Sequence, residues 1–101
     1  MSLSPLPDSA SPWSPNIRNA YRELSTHYSN IYGYVQTESV EPHRLEQYCT
    51  TIMTTVFPLL LLLETTADDE NLPLFWLEDT ANKFVELLAL LDDHLKAATG
   101  Q

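Results

Sequence analysis

Apolar residues recur at alternating intervals of four and three positions in three separate stretches of the chain. This spacing places the side chains on one face of an α-helix, whereas a β-strand would need alternation every two positions. The pattern therefore predicts three amphipathic helices. Their apolar positions are Ile17, Tyr21, Leu24, Tyr28, Ile31 and Val35, then Leu45, Cys49, Ile52, Val56, Leu59 and Leu63, and finally Leu74, Leu77, Ala81, Phe84, Leu88, Leu91 and Leu95.

Capping residues indicate where the first two helices begin. Ser14 is a good N-cap, and Pro15 at the first helical position loses no hydrogen bond. The second helix should open in the same way, between Ser39 and Pro42.

The remaining boundaries and the similar helix lengths predict the topology. Thr65–Asn71 is expected to be an acidic loop, and the third helix should start between Asn71 and Pro73. Helices of similar length joined by short loops pack as antiparallel neighbours. We therefore predict an all-α fold, an up-down-up antiparallel three-helix bundle over residues 14–101.

The middle of the second helix contains two competing features. Residues 49–57 are rich in β-branched side chains, which would also suit a strand. Pro58 removes one backbone hydrogen bond from a helix that passes through it. Because the apolar spacing keeps its phase across the proline, we favour a helix that is kinked near Pro58.

Residues 1–13 form a Ser/Pro-rich tail without apolar periodicity, for which disordered or extended backbone is expected. Ser4, Ser11 and Ser14 each precede a proline, the form that proline-directed kinases favour. Such pairs are common by chance in tails of this composition, so a plain linker is the preferred interpretation.

Charge and length narrow the class of protein. The 101 residues suffice for one domain, and 14 acidic against 5 basic residues give a net charge of −9. Nucleic acid and anionic membrane surfaces are disfavoured as partners, because both attract basic proteins. The apolar run Ile52–Leu63 is shorter than the roughly 20 residues of a membrane span, which favours a core helix and no membrane association.

Cysteine content and the N-terminal sequence indicate the compartment. Cys49 is the single cysteine and cannot form an internal disulfide. The N-terminus lacks the basic and apolar regions of a signal peptide. We expect a soluble, acidic, intracellular protein, either cytoplasmic or nuclear.

The sequence offers little for catalysis or cofactor binding. His27, His43 and His94 do not share the four-residue spacing of a zinc site on a helix. Asp92 and Asp93 point in different directions on a helix and cannot converge on one ion with the adjacent histidine. We predict no enzyme activity, no metal and no cofactor.

Apolar residues left over from the three helical faces provide the functional prediction. We expect them to form a partner-binding patch at the pole where the second helix ends and the third begins. These residues are Phe57, Leu61, Phe75, Trp76 and Leu90. Two other outcomes stay open: the tail, through Leu6, Trp13 and its prolines, covers the patch, or the patch mediates a homodimer.

The predicted function is a non-enzymatic helical protein–protein interaction or oligomerisation module. The alternative is a carrier of an apolar small molecule within the bundle, because ligand sites also form between helices. A kink at Pro58 and the small residues Cys49 and Ala81 would open the necessary cavity.

Overall fold

The computed structural model describes residues 3, 5–7, 13–37 and 40–98. The helices are α1 (Pro15–Val35), α2 (Pro42–Thr51), a π-helical segment (Ile52–Val56), α3 (Phe57–Glu70) and α4 (Leu74–Ala98). The helical backbone runs without a break from α2 through the π-helical segment into α3, so these elements form one rod. No strand occurs within the described residues, and the predicted all-α class with three helical rods is confirmed.

The start of α1 follows from its capping residues. The Ser14 hydroxyl accepts a hydrogen bond from the Ile17 N–H at 3.4 Å, and Pro15 occupies the first helical position, as predicted. The second rod also begins with a proline, Pro42, but Glu41 is its N-cap and makes no side-chain capping bond. The predicted cap Ser39 lies outside the described residues.

The second rod accommodates Pro58 through a change of helical type. The Phe57 N–H donates to the carbonyl of Ile52, five residues earlier, which is the pattern of a π-helical turn. In a regular α-helix, the Pro58 ring would clash with the carbonyl of Thr54. The π-helical segment ends directly before the proline, and the β-branched residues of this region are helical rather than extended.

The predicted acidic loop at Thr65–Asn71 is wrong, because α3 continues to Glu70. The Thr65 hydroxyl donates to the Leu62 carbonyl at 2.7 Å, and Ala67 is buried in the core. The helix ends at Asn71, which adopts a left-handed conformation with φ 58°. Asparagine tolerates this conformation better than most residues, and it lets the chain turn sharply into α4.

The core lies where α4 packs against each of the other helices. Phe84 on α4 is fully buried, and its ring meets that of Tyr28 on α1 edge to face, with centroids 5.5 Å apart. Leu45 and Ile52 contribute fully buried side chains from the second rod. The predicted apolar faces thus form most of this core, although Leu60 is buried where Leu59 was expected.

Thr80 on α4 is an exception within this apolar core. Its side chain is fully buried, and its hydroxyl has no hydrogen-bond partner within the described part of the chain. Burying an unsatisfied hydroxyl costs about 1–3 kcal/mol.

We expect Thr80→Val to raise the free energy of unfolding by about 1 kcal/mol, because it removes the hydroxyl while keeping the branched shape. Urea denaturation measures this change. The matched control is Thr55→Val, at an exposed position, which should change stability by less than about 0.5 kcal/mol. A clear loss of stability in Thr80→Val would contradict the assignment of an unsatisfied hydroxyl.

Candidate functional site

An apolar groove of about 370 Å³ lies between α3 and the first turns of α4. Six of its eight lining residues are apolar, and the other two are glutamates. The lining consists of Phe57, Leu60, Leu61 and Glu64 from α3 and Leu74, Leu77, Glu78 and Ala81 from α4.

Each wall of the groove is one face of a helix. The lining positions follow the same order on both sides, i, i+3, i+4 and i+7, which are neighbours on a helical surface. Each wall therefore spans eight residues, whose first and last positions are about 10 Å apart along the helix axis. The two walls are matched in length.

The floor and the rim of the groove differ in exposure. Leu60 and Leu77 are buried and connect the groove to the core of the bundle. Leu61 is 62% exposed and Leu74 is 55% exposed, so large apolar side chains remain in contact with water at the rim. Exposed apolar residues that adjoin a concave apolar surface are typical of an interaction site.

Glu64 and Glu78 give the groove a negative rim. One glutamate stands on each wall, and both side chains are exposed. Neither forms an ion pair with another described residue. The groove therefore combines an apolar surface with two carboxylates that are available to a partner.

The structure brings together only part of the predicted patch. Phe57 and Leu61 both line the groove. Phe75 is 71% exposed but does not belong to the lining. Leu90 is half-buried and lies sixteen residues beyond Leu74 on α4, about 24 Å along the helix axis, so it is remote from the predicted pole.

Trp76 does not face outward as the sequence analysis expected; it is only 3% exposed. Its indole N–H donates to the carbonyl of Pro5 at 3.0 Å, and its ring centroid lies 6.0 Å from that of Tyr21 on α1. Trp76 is thus covered by the N-terminal segment. This cover is one of the alternatives that the sequence left open.

The described part of the tail packs on the bundle and is neither helix nor strand. Leu3 is 4% exposed, and Leu6 is half-buried against the core. The indole N–H of Trp13 donates to the Pro7 carbonyl at 2.9 Å, which links the described tail residues to the start of α1. The rest of the predicted tail, residues 1, 2, 4 and 8–12, lies outside the described residues.

The wall that α4 contributes to the groove was not predicted from the sequence. Leu74, Leu77 and Ala81 were assigned to the core because they continue the apolar face of the third helix. Leu60 and Glu64 were not singled out. The available signal was the spacing i, i+3, i+4 and i+7, which occurs both before and after Asn71. A tight turn at Asn71 brings these two helical faces together.

Cys49 is half-buried on α2 and does not line the groove. Burial, and then the nearby carboxylates of Asp92 and Glu46, raise the pKa of its thiol above the ordinary value of 9.0. A raised pKa lowers the thiolate fraction near neutral pH, which opposes nucleophilic reactivity. Within the described residues, no three His, Cys, Asp or Glu side chains are grouped so that they could hold a metal ion.

The rod from Pro42 to Ala67 is long and apolar enough to cross a membrane by length and composition. Only 22% of its most apolar stretch is buried inside the bundle. A mostly buried core helix of a soluble protein can share this length and composition, so the absence of a membrane partner stays a prediction.

We expect Leu3→Asp to release the N-terminal segment from Trp76, because the charged side chain cannot occupy the buried Leu3 position. Hydrogen exchange of the Trp76 indole N–H should accelerate by about tenfold or more, since burying a leucine is worth ~1.5–3 kcal/mol. NMR measures this exchange, and circular dichroism should show unchanged helicity. Leu62→Asp, at a 60% exposed position, is the control and should leave the exchange rate unaltered.

We expect iodoacetamide to alkylate Cys49 more slowly at pH 8 in the folded chain than in the urea-unfolded chain, since folding raises the pKa of the thiol. The same shift makes the folded state lose stability as the pH rises above the ordinary thiol pKa of 9.0, which applies to the unfolded chain. This part of the loss should be absent from Cys49→Ser. Equal alkylation rates in the two states would contradict the raised pKa.

Comparisons of the chain with models of protein families, with characterised proteins and with solved structures yield no match.

Proposed function

We propose that this chain is a non-enzymatic helical protein–protein interaction module that docks a partner in the groove between α3 and α4. The observation that carries the proposal is the groove itself, in which exposed leucines border a floor that is continuous with the core. Phe57 and Leu61 are the predicted partner-binding residues that lie in it. Phe75 is exposed but does not line the groove, and Trp76 and Leu90 also lie outside the docking surface that we propose.

The energetics favour occupation of the groove. Fully burying a leucine side chain is worth about 1.5–3 kcal/mol relative to leaving it exposed. Leu61 and Leu74 both remain more than half exposed. A partner that covers these two side chains and fills the space between them gains the free energy of burying them, which folding of the chain alone does not provide.

We further propose the up-down-up arrangement that the sequence predicted. Two ring pairs support a parallel orientation of α1 and α4, since Tyr21 contacts Trp76 and Tyr28 contacts Phe84. Residue numbers therefore increase in the same direction along both helices. The second rod is antiparallel to α4. Cys49 lies near Asp92, late in α4, whereas α3 lines the groove with the beginning of α4.

We also keep the kink near Pro58 as a proposal. The π-helical turn directly before the proline supports it, because such insertions commonly bend helices. A bend at this point would set the angle at which α3 meets α4 and hence the width of the groove.

The alternative, a carrier of an apolar small molecule, has one observation in its favour. The groove volume of about 370 Å³ lies within the range of small-molecule sites. The groove is a surface feature that Cys49 does not line, whereas the carrier hypothesis placed its cavity inside the bundle.

We expect Leu61→Asp to weaken partner binding by at least about tenfold, because it places a charge on the apolar rim and removes one buried leucine from the complex. Proteins that the wild-type chain retains from a cell lysate are purified. Each is then titrated against the wild-type chain, Leu61→Asp and Leu62→Asp. Leu62→Asp is the matched control, because Leu62 is equally exposed, next in sequence, and outside the groove. Both variants should keep wild-type helicity.

Two results would contradict this function. One is equal loss of binding in Leu61→Asp and Leu62→Asp, which would separate association from the groove. The other is that fatty acids stoichiometrically displace a bound fluorescent dye from the wild-type chain but not from Leu61→Asp, while no protein binds in the groove. That second result would favour the carrier.

A further inference from the structure

The shape and charge of the groove indicate what kind of partner it takes, provided that the proposed docking function is correct. We infer that the occupant is a short amphipathic helix of another protein, with basic residues flanking its apolar face. This partner helix would lie between α3 and α4 and add a fourth rod to the bundle.

The geometry of the walls favours a helix over an extended peptide. Both walls are helical faces with lining positions at i, i+3, i+4 and i+7 over about 10 Å. A helix that lies along them offers apolar anchors at the same spacing, so that its ridge fits between two helical faces. An extended peptide normally adds to a sheet edge, and the described residues contain no strand.

The charge of the rim favours a basic partner. Glu64 and Glu78 project from opposite walls, and no lysine or arginine lines the groove. Lys83, the lysine nearest to the α4 wall in sequence, is paired with Asp79 at 3.5 Å. Lysine or arginine side chains on both flanks of a docked helix would therefore meet a carboxylate on each side, and the net charge of −9 would speed its approach.

The same carboxylates disfavour two other occupants. In a symmetric dimer through this groove, both copies would contribute Glu64 and Glu78, so four carboxylates would share an interface whose groove lining contains no lysine or arginine. An anionic lipid surface would also meet these like charges. A separate basic helix satisfies both the apolar and the charged parts of the site.

The test uses two synthetic helical peptides with the same leucine face, one flanked by lysines and the other by glutamates. The probe is binding of each labelled peptide to the full chain, measured by fluorescence anisotropy at low and high salt. We expect the lysine-flanked peptide to bind with one-to-one stoichiometry and more tightly than the other. Leu61→Asp should weaken this binding by about tenfold or more, and Leu62→Asp should leave it unchanged.

The contribution of the rim is tested by Glu64→Gln combined with Glu78→Gln. We expect the preference for the lysine-flanked peptide to fall by about threefold or more, because each exposed ion pair contributes modestly. The control is Glu23→Gln combined with Glu46→Gln, which changes the net charge equally at exposed sites outside the groove. The control should keep most of the preference.

The outcomes separate this inference from the proposed function. Binding of both peptides with equal affinity, lost in Leu61→Asp, would overturn the basic partner and leave the docking groove intact. A Leu61-dependent dimer in sedimentation, or Leu61-dependent flotation with phosphatidylglycerol vesicles, would instead identify a second copy or a membrane as the occupant. Identical effects of Leu61→Asp and Leu62→Asp on every probe would remove the groove function itself.

Discussion

The structure depends on the burial of one apolar face of α4 against both other rods. Phe84, Leu87 and Leu91 are almost completely buried on this face, and α4 contacts α1, α2 and α3. A chain of this size buries only about two-thirds of its surface, so it has no second core to replace this one. The need to cover α4 therefore determines where the other helices lie, and it leaves the opposite edge of the α3–α4 pair uncovered.

The apolar surfaces on the two sides of α4 are covered differently. On the α1 side, Trp76 is buried, and the N-terminal segment satisfies its indole N–H through the Pro5 carbonyl. On the α3 side, the described residues leave Leu61 and Leu74 exposed. The protein thus covers one apolar surface with its own chain, and the other is the surface to which we assign a partner.

Much of the fold could be predicted because it depends on local chemistry. The Ser14-Pro15 start of α1 and the apolar faces of all three rods follow from capping and periodicity. The extension of α3 through Thr65–Glu70 could not be predicted in this way, because polar threonines and acidic residues resemble a loop unless the burial of Ala67 is known. The candidate site was predicted in part: Phe57 and Leu61 were identified, whereas the α4 wall was assigned to the core.

The sequence by itself determined that this chain forms amphipathic helices with more apolar surface than their own faces require, because helical periodicity and composition are local properties. Only the tertiary structure decided which surplus residues are exposed. Trp76 and Phe75 are adjacent in sequence, yet one is buried under the N-terminal segment and the other is 71% exposed. That difference arises from contacts between residues that are about 70 positions apart, such as Trp76 and Pro5, which no local pattern encodes.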